Sequence, residues 1–225
     1  GQGWLSALMA PFADDAVGAV GAKLLFDDDS LQHAGLYFEK DHEGTWYNRH
    51  YFKGFPRDFA AAAAAREVPA VTGACLLLRR ALYEKVGGLC EDYLIGDYED
   101  SDLCLKLRGA GHAIRYEPEA ELYHFERRSI ARNAGYTRGI ADAHNRWLHH
   151  QRWHAAIGAL MEGVAAVAPV RRARIKQRIQ RQRIAREQVV ASWAKRLSGR
   201  SAAAALPALV GAMSAAMAES EGTQP

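Results

Sequence analysis

Apolar residues along the chain fall into two kinds of run, one typical of buried strands and one typical of helices. Residues 17–26 are mostly Val, Leu, Ala and Gly, are too short for a good helix, and end at the acidic run Asp27-Asp28-Asp29. They predict a buried strand followed by a turn. Residues 97–109 place Leu103 and Leu107 on one helical face, with acidic residues in the first turn and glycine at the end, and therefore predict a helix.

Weaker patterns predict the other elements. Residues 68–78 form a second strand-like run interrupted by Thr72-Gly73-Ala74, and residues 39–66 predict a long, partly mobile loop. Strands separated by helices indicate an α/β domain with a mostly parallel or mixed sheet over residues 1–135, and a helical, basic extension over residues 136–225. The remaining elements are expected as short helices at 3–12 and 79–86 and short strands at 35–38, 113–116 and 121–124.

The formal net charge of +3 conceals an uneven distribution of charge. Residues 171–200 hold 11 of the 29 basic residues and one acidic residue, whereas residues 1–170 are mildly acidic and do not indicate nucleic-acid binding. The basic segment has Val190, Trp193 and Leu197 at helical spacing. It predicts either a solvated helix that packs weakly on the domain or a helix on an anionic membrane surface, and no RNA-binding motif favours RNA.

Composition limits the class of protein further. With 49% apolar residues, the chain can bury a core, and no stretch is apolar for long enough to predict a membrane-spanning helix. Cys75, Cys90 and Cys104 are odd in number, far apart and without a Cys-x-x-Cys pair, which argues against a disulfide framework or a structural zinc site. We therefore expect a cytoplasmic protein, peripheral at the inner face of the membrane if residues 171–200 bind lipid.

Four acidic residues gather where the helix of residues 97–109 begins. Asp100 shares a helical face with Leu103 and Leu107, so it is expected to point inward, and Asp102 is expected to point away. An inward carboxylate at a helix N-terminus suits a general base that acts on a hydroxyl group. The structural alternative is that Asp97 caps the helix and Asp100 completes a variant capping box.

A histidine at a strand end is the second candidate for chemistry. His124 follows a short apolar piece and could present its imidazole to a metal ion, although a single histidine among nine is more often structural.

Several motifs in a fixed order resemble the family 2 glycosyltransferases, and especially their rhamnosyltransferase-like bacterial members. The resemblance runs from about residue 4 to about residue 129 and implies part of the GT-A fold, with its Rossmann-like mixed sheet. The motifs are residues 20–25 with Gln32-His33-Ala34-Gly35, then 71–80, 86–89, Tyr98-Glu99-Asp100 and 118–124.

The resemblance implies a role for each candidate residue. Asp100 matches the family's catalytic base, with Glu99 beside it near the acceptor. Thr72, Gly73 and Ala74 match a loop that approaches the donor or acceptor sugar. His124 matches a histidine that helps to bind a divalent metal, Mn or Mg. The implied reaction is an inverting transfer from a nucleotide-diphosphate sugar to a glycan or lipid-linked acceptor, in the synthesis of surface polysaccharide.

The chain departs from the family at its beginning. The family's nucleotide-binding strands and their Asp-x-Asp metal motif should come before the position of Trp4, and Asp27-Asp28-Asp29 follows a strand where the family has a surface turn. We therefore expect the donor-binding half to lie outside this sequence. The alternative is a truncated, catalytically inert chain that acts as a binding or peripheral-membrane module.

Overall fold

A computed structural model describes residues 3–125, 140–162 and 164 of the chain. All of them belong to the first of two compact units, Gly1–Lys176 and Gln177–Pro225. The helices in the described ranges are α1 (Trp4–Met9), α2 (Arg80–Lys85), α3 (Glu99–Gly109) and α4 (Ile140–Glu162). The strands are β1 (Val17–Leu25), β2 (Leu31–His33), β3 (Leu36–Lys40), β4 (Trp46–His50), β5 (Arg66–Glu67), β6 (Leu76–Leu78) and β7 (Ala113–Tyr123).

Strand β1 lies at the centre of a mixed sheet. Every residue of β1 is buried, which explains why its sequence is apolar throughout instead of alternating. β7 pairs with β1 in parallel along one edge, while β6 and β2 pair antiparallel with the other edge, and β5 pairs antiparallel with β7. The mixed α/β sheet that the sequence predicts is confirmed, and so is a helix after it.

Gly21 in β1 shows how tightly the sheet is covered. A Cβ atom at this position would lie 2.5 Å from Cβ of Val71, a separation that real side chains do not adopt. Glycine is therefore required here because the side chain of Val71 packs directly against the backbone of the strand. This contact holds the residue before the Thr72-Gly73-Ala74 segment against the sheet.

The prediction of a long mobile loop over residues 39–66 is wrong. β3 and β4 form an antiparallel hairpin with five registered pairs, from Leu36 opposite His50 to Lys40 opposite Trp46. Beyond the hairpin, aromatic rings pack against each other at centroid separations of 4.7 to 6.0 Å, and Arg66 stacks on Tyr51 and Phe52. Mutual packing of side chains orders this segment, although its sequence has no regular period.

One further prediction needs correction. The expected strands at 113–116 and 121–124 are one strand, β7, in which a bulge shifts the pairing with β1 between Ala22 and Lys23. A bulge of this kind accommodates Pro118 within the strand, and the pairing with β1 resumes beyond it. The run over 68–78 is interrupted as predicted, because a short 3-10 turn, Gly73–Cys75, separates the extended residues before it from β6.

Helix α4 packs against α3 and against the β3–β4 hairpin, and its Ile157 is fully buried in the main hydrophobic cluster. Within the ranges that the structure describes, no helix is both long and apolar enough to cross a bilayer. The basic segment of residues 171–200 and the predicted domain boundary at 135 lie outside the described residues.

Candidate active site

The predicted catalytic carboxylate, Asp100, lies in the first turn of α3, beside the turn that precedes β6. Its Oδ2 accepts a hydrogen bond from the backbone N–H of Gly73 at 2.9 Å, and its Oδ1 accepts one from the N–H of Ser101 at 2.7 Å. Thr72 Oγ1 accepts a hydrogen bond from the N–H of Ala74 at 3.4 Å. The fold therefore places Asp100 next to the predicted substrate-binding residues.

Burial raises the pKa values of two neighbouring carboxyl groups of α3, Glu99 and Asp100. Burial raises the pKa of Asp100, while the N–H groups of Gly73 and Ser101 favour its ionised form and limit the rise. Burial, followed by repulsion from Asp100, raises the pKa of Glu99 to about 7. Glu99 Oε2 is buried and has no hydrogen-bond partner among the described residues. Unlike Glu99 Oε2, the Asp100 carboxylate therefore has two N–H donors that favour its ionised form.

The stability of Glu99→Gln, compared with that of the wild type, should increase as the pH rises. The folded wild type holds the Glu99 proton up to a pKa of about 7 against an ordinary 4.5, so this residue's contribution to stability is full below pH 4.5 and is lost as the pH rises through about 7. Free energies of unfolding from urea titrations at about pH 4 and about pH 8 measure the effect. A variant-minus-wild-type difference that is equal at both pH values would contradict it.

The start of α3 differs from both expectations about its acidic residues. Tyr98 is the N-cap residue, with a φ of 76°, so Asp97 does not cap the helix and the variant capping box does not form. Asp102, expected to point away, has no solvent exposure, and its carboxylate contacts Lys106 at 2.9 Å and Trp153 Nε1 at 2.7 Å. The prediction failed because α3 is covered on a second side by α4.

Helix α4 supplies three polar contacts that the sequence analysis missed. Asn145, His149 and Trp153 recur every four residues and so lie on one face of the helix. His149 Nε2 lies 3.1 Å from Ser101 Oγ, and burial lowers the pKa of His149 to about 4, which keeps the imidazole neutral. The spacing was a visible signal in the sequence, but the partners, on α3 and in the segment before it, lie about 50 positions away.

A buried histidine supports the Thr72 segment from β2. His33 Nε2 accepts a hydrogen bond from the N–H of Thr72 at 3.4 Å, and His33 Nδ1 lies 2.9 Å from His50 Nδ1. Because Nε2 accepts, the proton of the neutral ring is on Nδ1 and is donated to His50. Burial, with His50 as the next cause, lowers the pKa of His33 well below its ordinary value. His33 was part of a resembling motif but had been given no role.

The predicted metal ligand, His124, lies just after β7. The backbone N–H of His124 donates to the carbonyl oxygen of Leu25 at 3.0 Å. Its ring nitrogen Nδ1 lies 2.8 Å from Gln32 Oε1, which leaves the other ring nitrogen, Nε2, to bind a ligand. Across the described ranges, no three His, Cys, Asp or Glu side chains come together as a metal site would need. These residues alone do not fit a divalent cation, and His124 as one of its ligands stays a prediction.

Known proteins resemble this chain over much of its length. A protein of Sinorhizobium fredii called y4gI, described as uncharacterized, is 35% identical over 65% of this chain, and the O-antigen biosynthesis protein RfbC of Myxococcus xanthus is 32% identical over 69%. An N-acetylglucosaminyl-diphospho-decaprenol L-rhamnosyltransferase of Mycobacterium tuberculosis is 32% identical over 45% of it. The chain spans 17%, 12% and 34% of the lengths of these three relatives.

Among solved structures, GalNAc-T7 with UDP, GalNAc and Mn²⁺ is similar over 54% of this chain and 24% of its own, at 15% identity and a TM-score of 0.39. The profile of the family described as "Glycosyltransferase like family 2" matches residues 2–149, a range that includes the sheet, α3 with Asp100, and the part of α4 that contains Asn145 and His149. This chain therefore belongs to the family 2 glycosyltransferases.

Proposed function

We propose that this chain is the acceptor-side part of an inverting glycosyltransferase that uses Asp100 as its general base. The observation that carries the proposal is the geometry of Asp100. Two backbone N–H groups donate to its carboxylate at the start of α3, next to the Thr72-Gly73-Ala74 segment, which matches the family's loop that approaches the sugar. A carboxylate positioned in this way suits a general base that accepts a proton from a hydroxyl group.

The proposed reaction is a single displacement. Asp100 takes the proton of an acceptor hydroxyl group while that oxygen forms a bond to the anomeric carbon of the donor sugar. The bond from the anomeric carbon to the diphosphate oxygen breaks, and the nucleoside diphosphate leaves with the electron pair. Because the acceptor attacks the face opposite the leaving group, the anomeric configuration is inverted.

The other predicted residues have supporting roles in this proposal. Thr72, Gly73 and Ala74 border the acceptor hydroxyl group, and Glu99 lies beside the base, where its proton can be shared with an acceptor oxygen. A divalent cation, Mn or Mg, would offset the charge on the departing diphosphate when bound. Among the described residues, His124 is the single predicted ligand of that cation.

The nature of the acceptor rests on the relatives. One relative is named for O-antigen biosynthesis and another for rhamnosyl transfer to N-acetylglucosaminyl-diphospho-decaprenol. These names support a glycan or lipid-linked acceptor and a role in surface polysaccharide synthesis. We place donor binding in a part of the gene product outside this sequence.

The test is sugar transfer by the complete gene product. It is incubated with a panel of nucleotide-diphosphate sugars and with Mn²⁺ or Mg²⁺, and release of the nucleoside diphosphate is followed with and without a glycan acceptor. We expect release with one donor, faster with acceptor and suppressed by EDTA. Calorimetric titration with nucleoside diphosphates provides the second measurement. Neither release nor binding with any donor would contradict the proposal and favour a non-enzymatic binding module.

A further inference from the structure

The chain takes a strained path immediately before α3. Ile95, Asp97 and Tyr98 have φ values of 67°, 71° and 76°, in the left-handed region that favours glycine. A β-branched residue is especially unfavourable there, and Ile95 gains little from burial because its side chain is 52% exposed. Strain of this kind persists only where surrounding contacts enforce it, and it is concentrated at functional sites.

One buried side chain of α4 supplies such contacts. Asn145 is completely buried, and its Oδ1 accepts a hydrogen bond from the N–H of Leu94 at 2.7 Å. Its Nδ2 lies within hydrogen-bond distance of the carbonyl oxygens of Leu94 (2.9 Å), Gly96 (2.7 Å) and Asp97 (3.3 Å). A side-chain amide suits this role because it is both donor and acceptor, and only one orientation of the amide satisfies all four contacts.

These contacts end at the residues that set the position of Asp100. Asp97 is the last residue that Asn145 contacts, and Tyr98, the next residue, is the N-cap of α3. The carbonyl oxygen of Tyr98 accepts hydrogen bonds from the N–H of Asp102 and from Ser101 Oγ. The direction in which α3 starts, and therefore the place of Asp100 two residues later, follows from the path of residues 94–98.

We propose that Asn145 is a positioning residue, which holds the left-handed path of residues 94–98 and thereby aims Asp100 at the acceptor hydroxyl group. This inference rests on the proposed role of Asp100 as the base. It implies that Asn145 contributes to turnover far more than to the binding of donor, because it touches neither substrate. A displacement of a catalytic group by about 1 Å can lower a rate on the order of 100-fold.

The test is a double-mutant cycle in the complete gene product, with Asn145→Ala, Ile95→Gly and the two together. Asn145→Ala should lower kcat by about 10- to 100-fold, with KM for the donor changed by less than about threefold. Ile95→Gly alone should change kcat little, because glycine adopts a positive φ without strain. When Ile95 is already glycine, the factor by which Asn145→Ala lowers kcat should be at least about threefold smaller than in the wild type. Gln151→Ala, on the exposed face of α4, is the matched control.

A second measurement does not depend on activity. The N–H of Leu94 donates to Asn145, so its hydrogen exchange should become faster in Asn145→Ala, while exchange within β1 stays slow. A kcat within threefold of the wild type, an equal loss with and without Ile95→Gly, or unchanged exchange at Leu94 would each overturn the inference. If Asn145→Ala does not fold, Asn145→Asp, which keeps the size and the acceptor for Leu94, replaces it under the two kinetic criteria alone.

The proposed function can fail separately from this inference. If Asp100→Asn retains full turnover, the role of the base is wrong and the positioning role falls with it. If Asp100→Asn is inactive but Asn145→Ala is as active as the wild type, the base stands and only the role of Asn145 is overturned.

Discussion

Asp100→Asn should lower the rate of sugar transfer by about 10²- to 10⁴-fold, the contribution expected of a positioned general base. The amide has the size of the carboxylate but cannot take the proton of the acceptor hydroxyl group. One of its two terminal atoms can still accept a hydrogen bond from the N–H of Gly73 or Ser101, while the NH₂ group faces the other N–H. The turnover number in the complete gene product is the quantity to measure.

The control for this variant is Asp58→Asn, which makes the same chemical change at an exposed position. We expect it to keep wild-type turnover. Circular dichroism and donor binding by calorimetry should be unchanged in Asp100→Asn, because the substitution removes no apolar contact. Normal turnover of Asp100→Asn would show that another group accepts the proton.

The second large effect is on stability. Asp102→Ala should reduce the free energy of unfolding by about 3–5 kcal/mol, the cost of removing one partner from a buried, hydrogen-bonded charge pair. The carboxylate of Asp102 is fully buried between Lys106, Trp153 and Tyr93, at 2.9, 2.7 and 3.2 Å. Alanine offers the Trp153 N–H and the Tyr93 hydroxyl group no hydrogen-bond acceptor in place of this carboxylate. Urea unfolding followed by Trp fluorescence measures the difference.

The matched control is Glu84→Ala in α2. Glu84 pairs with Arg80 at the same spacing of four residues, but both side chains are largely exposed. The loss there should be less than about 1 kcal/mol, as for other exposed ion pairs. Equal losses for the two variants would mean that burial of Asp102 adds nothing to the stability of the contact between α3 and α4.

Asp102 also illustrates where sequence reasoning reaches its limit. A helical wheel identifies one apolar face, and on α3 the Leu103 and Leu107 face was found correctly. The same wheel assigns a charged residue to solvent unless a second covering element is known. That element, α4, begins more than 30 residues later in the chain, and its Trp153 donates the indole N–H to the carboxylate.

Local patterns were sufficient where one element decides its own conformation. The apolar run of β1, the short helix α1, and α3 with its acidic first turn were all predicted within a few residues. The turn at Asp27-Asp28-Asp29 is confirmed as well, with Asp28 accepting from Ser30. Period, capping composition and glycine placement are properties of neighbouring residues, so they can be read without knowledge of the fold.

By itself, the sequence determined the α/β class, the buried strand predicted over residues 17–26 and the helix predicted over residues 97–109. Only the tertiary structure decided the β3–β4 hairpin, the continuous β7, the burial of Asp102 and the contacts of Asn145 with residues 94–97. The last three depend on residues tens of positions apart that meet when the sheet and α4 come together. Their free energy comes from packing and from satisfying buried polar groups, and neither has a local signature in the chain.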